Sequence, residues 1–310
     1  MENSLVNDNY VLRTVNLSKV YKKKYAVKDV NMHIEKGDIY GFVGENGAGK
    51  TTVIRLVTGL AAPTEGTFYL FGEEKDKALG RRRVAGIVES VSLNKSMTAV
   101  ENLKYQCFIC GITKSDEELR EVLREVGLDV DDIGSKKVRH FSLGMRQRLG
   151  IATVILQDPE FVLLDEPMNG LDPQGFIDMR ETIKRLNARG ITFLISSHIL
   201  SELDKVCNKI GFISKGQLTE EILVSDLHRA ASAKVELGFQ SQEEAKAAQA
   251  VLAGVRIIRA VSAENGVVRI FGDVDVNTVM EILVANRIRI TSINMREQSV
   301  EDYYLGKVRG

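Results

Sequence analysis

The chain has 310 residues, 44% of them hydrophobic, enough for about two domains with real cores. Lys+Arg and Asp+Glu each number 42, and this zero formal charge argues against general nucleic-acid binding through a basic face. Three Cys point to a reducing compartment rather than a disulfide framework, and no apolar run reaches the length of a membrane span. MENSLVNDNY lacks a basic stretch followed by an apolar one, so the expectation is a soluble cytoplasmic protein; any membrane helices it works with belong to another chain.

Residues 10–72 read as strands and turns broken by one Gly-rich loop and its helix. The short basic run KVYKKKY reads as a solvated turn. In GFVGENGAGKTT, Gly44, Gly49, Lys50 and Thr51 fit the phosphate-loop pattern G-x-x-x-x-G-K-[ST]. Glycines let the backbone turn tightly and aim several N–H groups at one anion. Lys50 is placed to reach the β- and γ-phosphates, and the Thr51 hydroxyl to hold Mg2+. The flanks fit: DIYGFVG is strand-like, and TTVIRLVTGL is a helix whose N-terminus favours an anion. AAPTEGTFYLFG reads as a turn and a strand.

Residues 99–140 are helix-rich. AVENLKYQCFICGI and SDEELREVLREVGL both carry 3.6-residue apolar spacing, and Ser115 with Glu118 forms a capping box. Cys107 and Cys110 form C-x-x-C in an apolar helix; a structural zinc needs four ligands, and only Cys207 is left, so core packing is the reading. Residues 141–213 alternate helices with short buried strands, an α/β organisation with a parallel sheet. FSLGMRQRLGIA starts a helix with Ser142 as N-cap, and Gly144 lets another group approach its backbone. FVLLDEP ends a buried strand on Asp165 and Glu166: an acid suited to Mg2+ and one placed to orient or deprotonate a water. ITFLISSH ends another on His198, at the strand ends where ligands bind in such sheets.

After about residue 222 the texture changes to βαββαβ, the ferredoxin-like order. KVELGF is a strand, SQEEAKAAQAVLAG a helix with a Ser241/Glu244 capping box, and VRIIRAVSAENGVVRIFG a hairpin around Asn265–Gly266. DVNTVMEILVANR is a helix, IRITSINMR a strand and SVEDYYLGKV a last short helix. No catalytic constellation falls there, so residues 222–310 are expected to form a small α+β accessory domain after a 1–221 nucleotide domain.

The phosphate loop, FSLGM, FVLLDEP, NGLDP and SSH occur in an order and spacing that resembles the ATP-binding subunit of ATP-binding-cassette (ABC) transporters, over roughly residues 11–220. GIVESVSLNKSMTAVENL, FSLGMRQRLGIA, NGLDPQG and ITFLISSHILSELDKVCNKIGFI look most like the ATPases of bacitracin- and lantibiotic-resistance exporters. The resemblance implies a phosphate-loop α/β cassette with an antiparallel β-subdomain and a helical subdomain at about 92–140. It implies that Gly44, Glu45, Asn46, Gly47, Ala48, Gly49, Lys50, Thr51 and Thr52 hold ATP and Mg2+, with Tyr21 stacked on adenine. Asp165 would support Mg2+, Glu166 act as base, and His198 sense the γ-phosphate. Ser142 and Gly144 would clasp ATP held by a second subunit, with Asp172 at that contact, in a head-to-tail homodimer peripheral to the inner membrane face and coupled to a separate permease.

Two departures stand out. The family's usual Gln at the Mg2+ and permease contact is Glu89, whose carboxylate can still ligate Mg2+. The signature L-S-G-G-Q reads FSLGM, so Met145 lacks the amide that could bond the nucleotide sugar, and weaker but intact clamping is expected. The alternative is a soluble ABC ATPase acting on ribosomes, DNA or cluster assembly. Against it stand a single cassette and only about ninety residues, without sustained heptads, between phosphate loop and signature. No N-K-x-D motif marks a GTPase.

Overall fold

Residues 9–74, 82–90, 92–230, 234–255, 260–264, 266–271 and 275–296 are described by the computed structural model. The chain divides after Val224 into two units.

The first unit opens with β1 (Tyr10–Tyr21) and β2 (Lys24–Val30), joined by Lys22 and Lys23 with φ of 46° and 68°. The basic run is thus an exposed hairpin turn. β3 (His33–Glu35) and β4 (Ile39–Val43) follow, then the phosphate loop and α1 (Lys50–Val57). β5 (Glu65–Leu70) and β6 (Glu73–Glu74) complete a small antiparallel sheet in the order β2-β1-β5-β6, with β3 also paired to β1. β7 (Val84–Ile87) leads to α2 (Ala99–Cys110) and α3 (Asp116–Glu125). Both helices begin with capping boxes: Ser115/Glu118, and Thr98/Glu101, which the sequence reading did not pick out. Cys107 is buried, and the Gln106 amide donates to Cys110 Sγ at 3.3 Å. Next come α4 (Leu143–Ile155), β8 (Phe161–Asp165), α5 (Pro173–Ala188), β9 (Thr192–Ser197), β10 (Lys209–Ser214) and β11 (Gln217–Leu223).

The main sheet runs β11-β10-β4-β9-β8-β7, parallel from β10 to β7, with β11 antiparallel at its edge. Every residue of β4, β8 and β9 is buried, as strands covered on both faces require. Each large apolar side chain so buried stabilises by about 1.5–3 kcal/mol, and Phe42, Phe161, Phe193 and Leu194 are wholly enclosed. The polarity of the sheet puts the residues after β4, β7, β8 and β9 at one end, where the phosphate loop lies.

Toward the other end a second polar cluster forms. Tyr40 O–H donates to Glu221 Oε1 at 2.9 Å, the His33 backbone N–H to the same oxygen at 3.0 Å, and His33 Nδ1 lies 2.9 Å from Glu221 Oε2. Burial alone would raise the Glu221 carboxyl; the bonds from His33 and Tyr40 outweigh it and hold the group below its ordinary value. Burial and Glu221 push the Tyr40 hydroxyl well up.

In the second unit β12 (Lys234–Gly238), α6 (Gln242–Ala253), β13 (Ala260–Glu264), β14 (Val267–Phe271), α7 (Val276–Ala285) and β15 (Ser292–Arg296) alternate as βαββαβ. The sheet is antiparallel in the order β13-β14-β12-β15. Val235, Leu237, Val268 and Ile270 pack on Ala245, Ala248, Leu252, Val279 and Leu283 of the two helices. Ser241 caps α6, but Glu244 reaches the Gln240 N–H one residue earlier, so the expected capping box is only half formed. Asn265 of the expected turn and the expected helix at 299–308 lie outside the described residues.

Candidate functional site

The loop after β4 curls back on α1. Gly49 has φ 109° and sits so close to β2 that a Cβ would lie 2.7 Å from Val27 Cγ1 and 2.8 Å from the Ala26 oxygen. At Gly44 a Cβ would lie 2.3 Å from the Ile213 oxygen. These two glycines are required by the pattern and by the packing alike.

Lys50 is 5% exposed. Its ammonium donates to the Gly44 oxygen at 2.6 Å and the Glu45 oxygen at 3.2 Å, and lies 3.2 Å from Glu166 Oε1. Its three protons therefore all have partners, each of which a phosphate oxygen can replace. Thr51 Oγ1 donates to Asp165 Oδ2 at 2.8 Å, and Ser196 Oγ donates to Asp165 Oδ1 at 2.6 Å. Ser196 Oγ also accepts the Glu166 backbone N–H at 2.9 Å. Glu166 holds φ 49°, a left-handed conformation that costs a non-glycine residue of order 1 kcal/mol and turns its side chain off the strand. Its Oε2 lies 2.9 Å from His198 Nδ1. Ser196 and the short Lys50–Glu166 contact were not singled out from sequence; a polar Ser-Ser pair inside an apolar strand was the available signal.

A cavity of 760 Å3 opens over this cluster, within the range of small-molecule sites. Tyr21, Asn46, Gly47, Gly49, Lys50, Thr51, Thr52 and Glu166 line it. So do Lys24, Tyr25, Ala26, Lys215 and Gly216, which sequence reasoning missed; the SKG turn after an apolar strand was the cue for the last two. Tyr21 is exposed, with Lys19 Nζ 5.1 Å from its ring centre.

Ser142, Gly144 and Asp172 do not line the cavity. Ser142 Oγ accepts the Met145 N–H at 3.2 Å and Asp172 Oδ1 the Gly175 N–H at 2.8 Å, so each caps its own helix. The two caps belong to packed helices: a Cβ on Gly144 would meet Gly175 Cα at 3.6 Å. Glu89 is bonded to Arg55 at 2.5 Å, and not to Thr51 or Asp165.

The Thr51 hydroxyl and Asp165 carboxylate make an all-oxygen pair, the chemistry that suits Mg2+. Among the described residues no three His, Cys, Asp or Glu gather to enclose a metal. A two-donor arrangement fits a cation that takes its other oxygens from phosphates and water. Among the described residues no helix is long and apolar enough to cross a membrane.

The family model described as ABC transporter matches residues 27–169. The chain is 40% identical over 304 residues to the bacitracin transport ATP-binding protein BcrA of Bacillus licheniformis, covering 97% of this chain and 98% of that one. It is 40% identical over 211 residues to the lantibiotic transport ATP-binding protein SrtF of Streptococcus pyogenes, covering 68% of this chain and 90% of that one. Among solved structures it is similar to an ATP-binding cassette of an ABC transporter in its ADP conformation (TM-score 0.64, 25% identity, 70% of this chain and 94% of that one). It is also similar to a dimeric post-hydrolysis cassette bound to ADP and phosphate (TM-score 0.60, 26% identity, 69% and 98%).

Proposed function

Since the chain belongs to the ATP-binding subunits of ABC transporters and so hydrolyses ATP to drive transport, we propose that it powers a separate integral-membrane permease exporting a peptide antibiotic or similar amphipathic compound. The observation that carries the cargo reading is the 40% identity to a bacitracin transport protein, which covers 97% of this chain and so extends beyond the cassette. The matches to transport proteins disfavour the soluble alternative on ribosomes, DNA or clusters.

In this reading Gly44 to Thr52 grip the phosphates, Lys50 exchanges its carbonyl partners for phosphate oxygens, and Tyr21 stacks on adenine. Thr51, Asp165 and Glu89 hold Mg2+, which when bound neutralises phosphate charge. Glu166 is the base, with His198 beside it to sense the γ-phosphate. Ser142 and Gly144 lie away from the cavity of their own subunit, which supports a head-to-tail homodimer in which they reach the partner's ATP across a contact that includes Asp172. The permease contact falls on the Glu89 loop and residues 92–140, where Tyr105, Phe108 and Ile109 of α2 are 51%, 83% and 58% exposed. The working location is the inner face of the cell membrane, and the second unit regulates or supports the dimer.

The test is a mild-detergent pull-down of the tagged chain from native cells, with Glu166→Gln as second bait to hold the ATP-bound dimer. A polytopic membrane protein on both baits is the expected result. Ribosomes or DNA in its place would overturn the transport coupling.

A further inference from the structure

Glu89 stands one strand over from the acidic pair. Ile87 of β7 is paired with Leu164 of β8, so the chain carries Glu89 to the same sheet end as Asp165 and Glu166. Glu89 holds φ 66°, left-handed and unfavourable for a side chain of its kind, as non-glycine residues at functional loops often are. Its carboxylate nevertheless turns to Arg55 Nη2, 2.5 Å away. Arg55 lies one helical turn after Thr51, on the same face of α1. Thr51 is bonded to Asp165. Arg55 and Thr51 therefore present neighbouring stations to two acids: a cation for Glu89 and a hydroxyl for Asp165.

We infer that Arg55 is a positioning residue that holds Glu89 away from the Thr51–Asp165 oxygen pair and cancels its charge until nucleotide and divalent cation arrive together. The inference rests on the proposed reading of Thr51, Asp165 and Glu89 as the Mg2+ side of the site. The reason is electrostatic. Asp165, Glu166 and Glu89 put three carboxylates at one sheet end, and Lys50 is already committed to Glu166. A free third carboxylate there would repel the nucleotide phosphates when no cation is present and would attract the cation when it is. Arg55 damps both effects, so it tunes how strongly nucleotide binding depends on Mg2+. Arg55 and Glu89 are 40% and 62% exposed at their side chains, which lets the pair open but limits its strength.

The experiment uses the full chain and a fluorescent non-hydrolysable ATP analogue, with Kd measured in EDTA and in saturating Mg2+. The readout is the ratio of the two constants, supplemented by Mn2+ affinity from electron paramagnetic resonance with the analogue bound. Arg55→Gln is expected to raise the ratio about two- to five-fold, the range an exposed pair allows, and to tighten Mn2+ by a similar factor. Arg55→Lys, which keeps the charge, should return the ratio toward wild type. In a Glu89→Gln background Arg55→Gln should change nothing, because the carboxylate it restrains is gone. An unchanged or lowered ratio in Arg55→Gln, or an equal rise when position 89 is already Gln, overturns the role. A wild-type chain that binds the analogue equally with and without Mg2+ overturns the underlying site reading, and the inference with it. The wild-type control alone distinguishes that failure from the others.

Discussion

The two polar clusters on the main sheet use similar side chains for opposite ends. Toward the starts of the parallel strands, Glu221 is surrounded by His33 and Tyr40, and Lys209 Nζ is fixed on the His33 carbonyl at 2.8 Å. At the strand ends, Glu166 is shared between Lys50 and His198 under an open cavity of 760 Å3. The first cluster has permanent protein partners and ties β3 and β11 to β4. The second has partners that a bound phosphate can displace. Strand polarity decides which is which, because the loops that can open onto a ligand lie beyond the carboxyl ends of parallel strands.

The sharpest way to break that comparison is Glu166→Gln. It should cut ATP turnover by about 10²–10⁴, the contribution of a positioned base, while urea unfolding stays near wild type. Retained turnover in a phosphate-release assay would return Glu166 to the structural class. Glu221→Gln should do the reverse. It removes charge-assisted bonds from a largely buried group, so unfolding free energy should fall by about 1.5–3 kcal/mol with turnover per folded molecule unchanged. A loss of turnover without loss of stability would erase the distinction. The smallest effect is in pH. The Glu221 carboxyl is held below its ordinary 4.5, so its contribution is full above that value and is lost as pH falls through the lower folded value. Wild type should therefore lose more stability than Glu221→Gln between pH 5 and pH 3, compared by urea melts at each pH.

What was legible in the sequence was local or set by strand ends. The phosphate loop, the Asp165–Glu166 pair and the Ser115/Glu118 box lie in short stretches whose chemistry is fixed by spacing of a few residues. Thr98/Glu101 belonged to the same class and was readable as T-x-x-E before an apolar helix. Contacts made by tertiary closure had no such cue. Arg55 and Glu89 are 34 residues apart, Lys50 and Glu166 come from different elements, and His33 meets Glu221 across 188 residues. Met145 shows the boundary between the two kinds: its N–H is used by the Ser142 cap, which the FSLGM pattern predicts, and its side chain is free of that task. The Ser241 box is only half formed because Glu244 accepts from the Gln240 N–H, one residue before the cap, which the S-x-x-E spacing does not reveal.

The interleaving of β4 between β10 and β9 also has a price in time. Val43, just before the phosphate loop, is paired with Ser197, and Thr51 with Asp165 across 114 residues. At about 5–20 residues per second, the loop leaves the ribosome on the order of ten seconds or more before β9 exists to flank it. During that interval β4, whose five residues all end buried, has neither neighbour in the sheet. The phosphate loop therefore gains its Asp165 and Ser197 contacts only after β8 and β9 have been made. A chain that stops short of β9 leaves the apolar residues of β4 without the strands that cover them, a target for chaperones and proteases.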